Sequence, residues 1–247
     1  MTKIDFNNYT AKYKKDNKTI LDNINISISK GEMIAIIGKS GAGKTTIFNA
    51  LLKQLEIVDG SLLINDKNIK DYSKKQWKNI IKKVGYLSQE PNLIEHLNVY
   101  ENILHFYPKY TNPFFAFLKI LRKNQKEEIF NLLEELDLLN KAYTRVSELS
   151  GGQKHRVEIA KLLLKDVNLI LADEPTSNLD IKTAKDIMSL IKEINWKHKT
   201  TILVNIHDLN IIRLFFDRYI FIKDGKLLKS GNPKNLTQKQ IEKLYES

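Results

Sequence analysis

Gly38-Lys39-Ser40-Gly41-Ala42-Gly43-Lys44-Thr45 is the stretch on which the reading of this chain turns. A glycine, four residues and then Gly-Lys-Thr is the pattern of a phosphate-binding loop. Its surroundings fit. Met33-Ile34-Ala35-Ile36-Ile37 reads as a short buried strand, and Ile47, Phe48, Leu51, Leu52 and Leu55 recur at helical spacing behind it. Glycines let the backbone curl so that successive N–H groups face one concavity, and the new helix adds its unpaired N–H groups and positive dipole end. Lys44 is placed to reach terminal phosphates, and the Thr45 hydroxyl to bind Mg²⁺.

Upstream, Ile4, Phe6 and Tyr9, then Ile24, Ile26 and Ile28, alternate in short strand-like patches broken by Asn, Asp and Lys turns. They predict an antiparallel meander. Tyr13 lies 25 residues before Gly38 and is a candidate to stack on a nucleotide base, although an ordinary strand tyrosine reads the same way. Downstream, Gly60 to Lys67 reads as a strand running into a turn, followed by a charged connection and a strand, Val84-Gly85-Tyr86-Leu87-Ser88-Gln89. Helical periodicity then takes over, with Leu93, Leu97, Ile103 and Leu104 in one segment and Ile129, Leu132, Leu133 and Leu136 in another. Between them the run from Tyr107 to Phe115 holds two prolines and four aromatics. It reads equally as a packed loop and as a docking surface.

Leu149-Ser150-Gly151-Gly152-Gln153 opens an amphipathic helix. Leu169-Ile170-Leu171-Ala172 is an apolar strand closing on Asp173-Glu174. A helix over 183–194, a strand over 200–206 ending at His207, a hairpin around Lys223-Asp224-Gly225 and a capping-box spacing at Thr237 to Gln240 complete the chain. Alternating strands and helices predict a mostly parallel sheet covered on both faces. Ligands in such sheets gather at the carboxyl ends of the strands. Gly38, Gln89, Asp173 and His207 all follow predicted strands.

Composition sets wider bounds. The 247 residues include no cysteine, which excludes disulfides and thiolate metal sites. No apolar run approaches the roughly 20 residues that cross a bilayer, and Met1 to Asn8 has no apolar signal core. A cytosolic protein is expected. The formal charge of +11 favours polyanions, but only five of the 40 basic residues are arginine, and lysine is spread along the chain without the aromatic interleaving of a nucleic-acid groove.

In this order and spacing, the phosphate loop, Gln89, Leu149 to Gln153, Asp173-Glu174 and His207 resemble the ATP-binding-cassette ATPases over nearly the whole chain, and Ser177-Asn178-Leu179-Asp180 resembles that family's D-loop. The resemblance implies a single domain over 1–247, of the α/β P-loop NTPase class: a mostly parallel core sheet, an N-terminal antiparallel β subdomain, and a helical subdomain inserted at about 91–160. It implies ATP and Mg²⁺ as cofactors. Gly38, Lys39, Ser40, Gly41, Ala42, Gly43, Lys44, Thr45 and Thr46 would cradle the phosphates, with Tyr13 at the adenine. Thr45, Gln89 and Asp173 would serve the metal, Glu174 would be the general base, and Lys44 and His207 would contact the γ-phosphate. Ser150, Gly151, Gly152 and Gln153 would clamp ATP held by a second, antiparallel subunit, most simply a copy of this chain.

Within the family, Asn92 to Leu97, Lys141 to Arg145, Leu169 to Pro175 and the aromatic insert near 107–117 resemble the ATPases of phosphonate importers and of the mycoplasma high-affinity transport system. Lys154-His155, Thr176-Ser177-Asn178 and Asp208 depart from the phosphonate pattern. The expectation is a peripheral ATPase on the cytoplasmic face of the membrane. It would energise uptake of a phosphonate or other phosphorylated small molecule, with permease subunits as partners and an extracytoplasmic solute-binding protein as an indirect one. The alternative is a soluble ATPase acting on nucleic acid or ribosomes. One cassette in the chain, about 105 residues between loop and signature, and no cysteine speak against it.

Overall fold

The computed structural model describes residues 2–14, 16–237, 239, 240 and 242. Two sheets form its frame. Strands β1 (Ile4–Lys12), β2 (Thr19–Ile28), β4 (Glu56–Ile64) and β5 (Lys67–Asn68) build an antiparallel sheet in the order β2-β1-β4-β5. The second sheet has the order β10-β9-β3-β8-β7-β6, from β3 (Met33–Ile37), β6 (Val84–Leu87), β7 (Leu169–Asp173), β8 (Thr201–Asn205), β9 (Arg218–Lys223) and β10 (Lys226–Gly231). All its pairings are parallel except the β9–β10 hairpin. Both sheets match the sequence expectation, although β6 stops two residues short of Gln89.

Side chains on β3 divide the core. Ile34 and Ile36 face one apolar cluster with helix α1 (Lys44–Leu51) and the antiparallel sheet. Met33, Ala35 and Ile37 face another, beneath α6 (Gly151–Lys165), α7 (Ile181–His198) and α8 (Leu209–Phe215). A strand buried on both faces reads as an unbroken apolar run, which is why 33–37 is so plain in the sequence.

The second cluster continues into α3 (Val99–Phe106) and α5 (Lys123–Glu135), whereas α4 (Pro113–Leu118), between them, contributes no buried residue. The charged connection after β5 is in fact α2 (Lys74–Ile81), opened by a Ser73–Gln76 capping box. It buries no residue fully, and its apolar stripe is short, Trp77, Ile80 and Ile81 in a single turn, with Trp77 and Ile81 packed partly buried against the first cluster. Leu93 and Leu97 lie in a turn before α3 rather than on a helix. The run from Tyr107 to Phe115, read equally as a packed loop and as a docking surface, folds at its end into α4, capped by Asn112 with Pro113 at its first position. Helix α8, absent from the expectation, begins at an Asp208 cap. Thr237 and Gln240 exchange the hydrogen bonds of a capping box, and the residues that would continue that helix lie largely outside the described ones.

Candidate functional site

The order β3-β8-β7-β6 sets four strand ends side by side. Gly38 follows β3, His207 follows β8, Asp173-Glu174 closes β7, and Gln89 follows β6. Parallel pairing of Asp173 with Asn205 and of Ile36 with Asn205 holds these ends level.

The loop after β3 turns through Gly43, whose φ of 104° caps α1 in a conformation closed to side-chain-bearing residues. Lys39, Ser40, Gly41 and Thr45 are exposed there, whereas Ala42, Lys44 and Thr46 are buried. The Lys44 ammonium donates to the carbonyls of Gly38 at 2.8 Å and Lys39 at 3.0 Å. Burial pushes its pKa down, and the charges of Glu174 and Asp173 pull it back up. A cation held inside a loop of N–H groups is poised for a polyanion.

Thr45 donates its hydroxyl to Asp173 Oδ2 at 3.0 Å. Asn205 Nδ2 donates to Asp173 Oδ1 at 2.7 Å and to Thr45 Oγ1 at 3.4 Å, and Tyr86 OH donates to Asp173 Oδ2 at 3.3 Å. Burial and Asp173 together hold the Tyr86 hydroxyl protonated, with its pKa pushed up to about 12. Asn205 and Tyr86 were not expected. The signal for Asn205 was present, as a carboxamide closing the apolar strand Ile202-Leu203-Val204 beside His207. Its Oδ1 is buried without a protein partner. This donor set is all oxygen and suits a hard cation that keeps waters and substrate oxygens, as Mg²⁺ does. No cluster of three or more His, Cys, Asp or Glu suited to an all-protein metal cage occurs among the described residues. Gln89 is exposed two residues past β6 and faces a depression shared with Gly151, Asn178 and Leu179 rather than bonding to Thr45 or Asp173.

Glu174 leaves β7 with φ of 50°, a left-handed conformation costly for this residue type. Its N–H is fixed by the Asn205 carbonyl at 3.0 Å, and its carbonyl takes both the N–H and the hydroxyl of Ser177. The turn aims the carboxylate at His207, whose Nε2 lies 2.7 Å from Glu174 Oε1. The two line a cavity of about 330 Å³ with Ser177, Leu179 and Asp208. His207 thus meets Glu174 directly. Tyr13, half-buried after β1, accepts a hydrogen bond from Asn49 on α1 at 2.9 Å, which ties its ring beside the loop helix.

Ser150 and Gln153 form a capping box at the start of α6, Gln153 N–H to Ser150 Oγ and Ser150 N–H to Gln153 Oε1. The Gln153 side chain is therefore used within its own helix. The first helical N–H groups, at Gly151 and Gly152, have no partner inside α6. Gly152 has no room for a side chain, because a Cβ there would lie 2.5 Å from Thr183 Cγ2 on α7. Thr183 is in turn bonded to Asp180, the cap of α7. Signature and D-loop are one packed unit.

Further along α6, Glu158 Oε1 accepts from Asn92 N–H at 3.0 Å while Lys161 Nζ donates to Asn92 O at 2.6 Å. The helix that begins at the signature thereby grips the segment just after Gln89.

The family model for ABC transporters matches residues 21–177, and with that match the geometry has a family. The chain belongs to the ABC transporter family. It is 34% identical to the probable ABC transporter ATP-binding protein p29 of Mesomycoplasma hyorhinis, over 100% of this chain and 98% of that one. It is 36% identical to the phosphonates import ATP-binding protein PhnC 2 of Oceanobacillus iheyensis, over 99% and 96%. A dimeric post-hydrolysis structure of the ATP-binding cassette MJ0796, bound to ADP and Pi, superposes with a TM-score of 0.76 at 32% identity, covering 96% of this chain and 100% of that one. The fold expected from sequence, a P-loop NTPase of the ABC ATPase type, is the fold found. As an ABC ATPase the chain is an ATP-hydrolysing transport subunit, with ATP and Mg²⁺ as its cofactors.

Proposed function

We propose that this chain drives a membrane importer by hydrolysing ATP at composite sites formed between two copies. The contact between Glu174 and His207, beside the Lys44 and Thr45–Asp173 groups, carries the reading. Lys44 and the loop N–H groups from Gly41 to Thr46 hold the phosphates, with Tyr13 against the adenine. Thr45 and Asp173 would hold Mg²⁺, joined by Gln89 only if its side chain swings over from the depression it faces in this structure, and the ion would supply charge neutralisation at the leaving phosphate. Asn205 and Tyr86 orient the Asp173 carboxylate. Glu174 takes the proton of the attacking water, and His207 positions both Glu174 and the γ-phosphate. Ser150, Gly151 and Gly152 present an anion site to the nucleotide of the other copy. Gln153 supports it by holding the cap.

Relatives named as phosphonate importers support uptake and a phosphonate or phosphorylated small molecule as cargo. The partners are a second ATPase subunit and membrane permease subunits, with a solute-binding protein acting through the permease. The protein then lies peripherally on the cytoplasmic membrane face. No described helix is long and apolar enough to cross a membrane, which agrees with a peripheral role.

Glu174→Gln tests the reading. It preserves shape and the His207 contact while removing the base, so ATP should stay bound, turnover should fall at least a hundredfold, and the protein should elute as a dimer with ATP. Hydrolysis at near the original rate would show that Glu174 is not the base.

A further inference from the structure

The segment around α4 is built unlike the rest of the surface. Phe114, Phe117 and Leu118 sit at i, i+3 and i+4 of one short helix and therefore share a face. That face points outward: Phe114 is 65% exposed and Phe117 84%, and Leu118 and Ile120 beside them are also exposed. Phe115 and Ala116, on the other side of the helix, are only half-buried. Single exposed apolar side chains are ordinary, but four within seven residues are a patch.

The charge around the patch is equally one-sided. Between Glu101 and Glu127 the chain has no Asp or Glu, but it carries Lys109, Lys119, Arg122, Lys123 and Lys126. Lys109 is neutralised by Glu128 at 2.5 Å. Lys119 and Arg122, at the end of the aromatic helix and just beyond it, have no ion-pair partner among the described residues. Lys123 reaches Glu127 only at 4.0 Å and is almost fully exposed. Protruding aromatics rimmed by free cations match the two layers of a membrane interface, apolar acyl chains beneath anionic headgroups. The cores of protein interfaces are instead depleted in lysine, and a protruding ridge needs a matching groove on its partner, which a bilayer does not.

We propose that the α4 segment, Phe114 to Arg122, inserts at the surface of an anionic lipid bilayer and tethers this subunit to the membrane. The tether is separate from the transport reading above, and it acts on the subunit alone.

The test is flotation of the full chain with vesicles of phosphatidylcholine, or of phosphatidylcholine mixed with phosphatidylglycerol. Binding to the anionic vesicles is expected, weakening as salt rises, with at least tenfold less on the neutral ones. The double variant Phe114→Ser/Phe117→Ser should lose at least tenfold, and so should Lys119→Glu/Arg122→Glu. Both alter exposed groups, and unchanged melting curves verify the fold. Should either pair destabilise the protein, Phe117→Ser alone, at the most exposed position, should still cost at least threefold. A wild type that does not float with anionic vesicles overturns the proposal. So does a Phe114→Ser/Phe117→Ser variant that binds within tenfold of wild type or, where that pair destabilises the protein, a Phe117→Ser variant that binds within threefold, because general basicity would then explain the binding. A patch that becomes protected only when permease subunits are added, without vesicle binding, also overturns it and makes the occupant a protein.

Discussion

Asn205 shows how one residue can govern a site without being part of its motifs. It reaches Asp173 at 2.7 Å and Thr45 at 3.4 Å, the two side chains assigned to the metal. A hydrogen bond to a carboxylate contributes about 1.5–3 kcal/mol, so losing it frees Asp173 to rotate. Asn205→Ala should raise the Mg²⁺ concentration for half-maximal turnover by about tenfold, at little cost to ATP binding. Titrating ATPase activity with Mg²⁺, beside equilibrium binding of ATP, separates the two. Lys44→Ala should do the reverse and weaken nucleotide binding itself by at least about a hundredfold, because its ammonium is the buried cation inside the loop. The loop, the carboxylate pair and the signature were all legible in the sequence, because each is a contiguous string with its own spacing rule. Tyr86 was not, and Asn205 showed only as a carboxamide at a strand end, with nothing to say which groups it would meet. They matter only because β8 and β6 flank β7, and strand adjacency is a property of the sheet, not of any window of sequence.

At the scale of the element, α6 holds two buried titratable groups with opposite tendencies. Burial lowers the His155 pKa to about 4. Burial raises that of Glu158 to about 7, against the Asn92 N–H and the Lys161 charge. For His155 the folded value lies below the unfolded one, so its contribution to stability is present above about 6.5 and fades as pH falls toward 4. For Glu158 the folded value lies above the unfolded one, so its contribution is present below about 4.5 and fades as pH rises toward 7. Across pH 4.5–6.5 the slopes oppose each other, and the wild type should be nearly flat from this pair. His155→Gln exposes the Glu158 slope and should make the protein melt higher as pH drops from 7 to 4.5. Glu158→Gln should make it melt lower over the same range. Each swing is about 2–3 kcal/mol, because every pH unit crossed between the folded and unfolded values is worth about 1.4 kcal/mol. Thermal melts of the three proteins between pH 4.5 and 7.5 decide it, and parallel curves would refute the opposed pair. The helix itself was plain in the sequence. That His155 and Glu158 point into the core was not, because a polar residue at a buried position is invisible until the neighbouring helices are placed.

For the whole molecule the question is whether one chain suffices. On the proposed reading the loop after β3 and the start of α6 each receive an anion, and a single triphosphate needs only one of them within a chain. Pairing two chains antiparallel uses both surfaces twice, and the dimeric MJ0796 structure with ADP and Pi shows that a similar cassette pairs. A mixing experiment tests this directly. Lys44→Ala disables the loop and leaves the signature intact. Ser150→Asp leaves the loop intact and keeps a good helix cap, but it sets a negative charge against the partner's phosphate. Each protein alone should be nearly inactive. In an equal mixture half of the dimers join one chain of each kind. One composite site of such a dimer carries both defects and the other carries none. Activity should therefore recover to about a quarter of wild type when the two sites work independently. If each chain made its own complete site, the mixture would stay as inactive as its parts, because no exchange of chains could repair either defect.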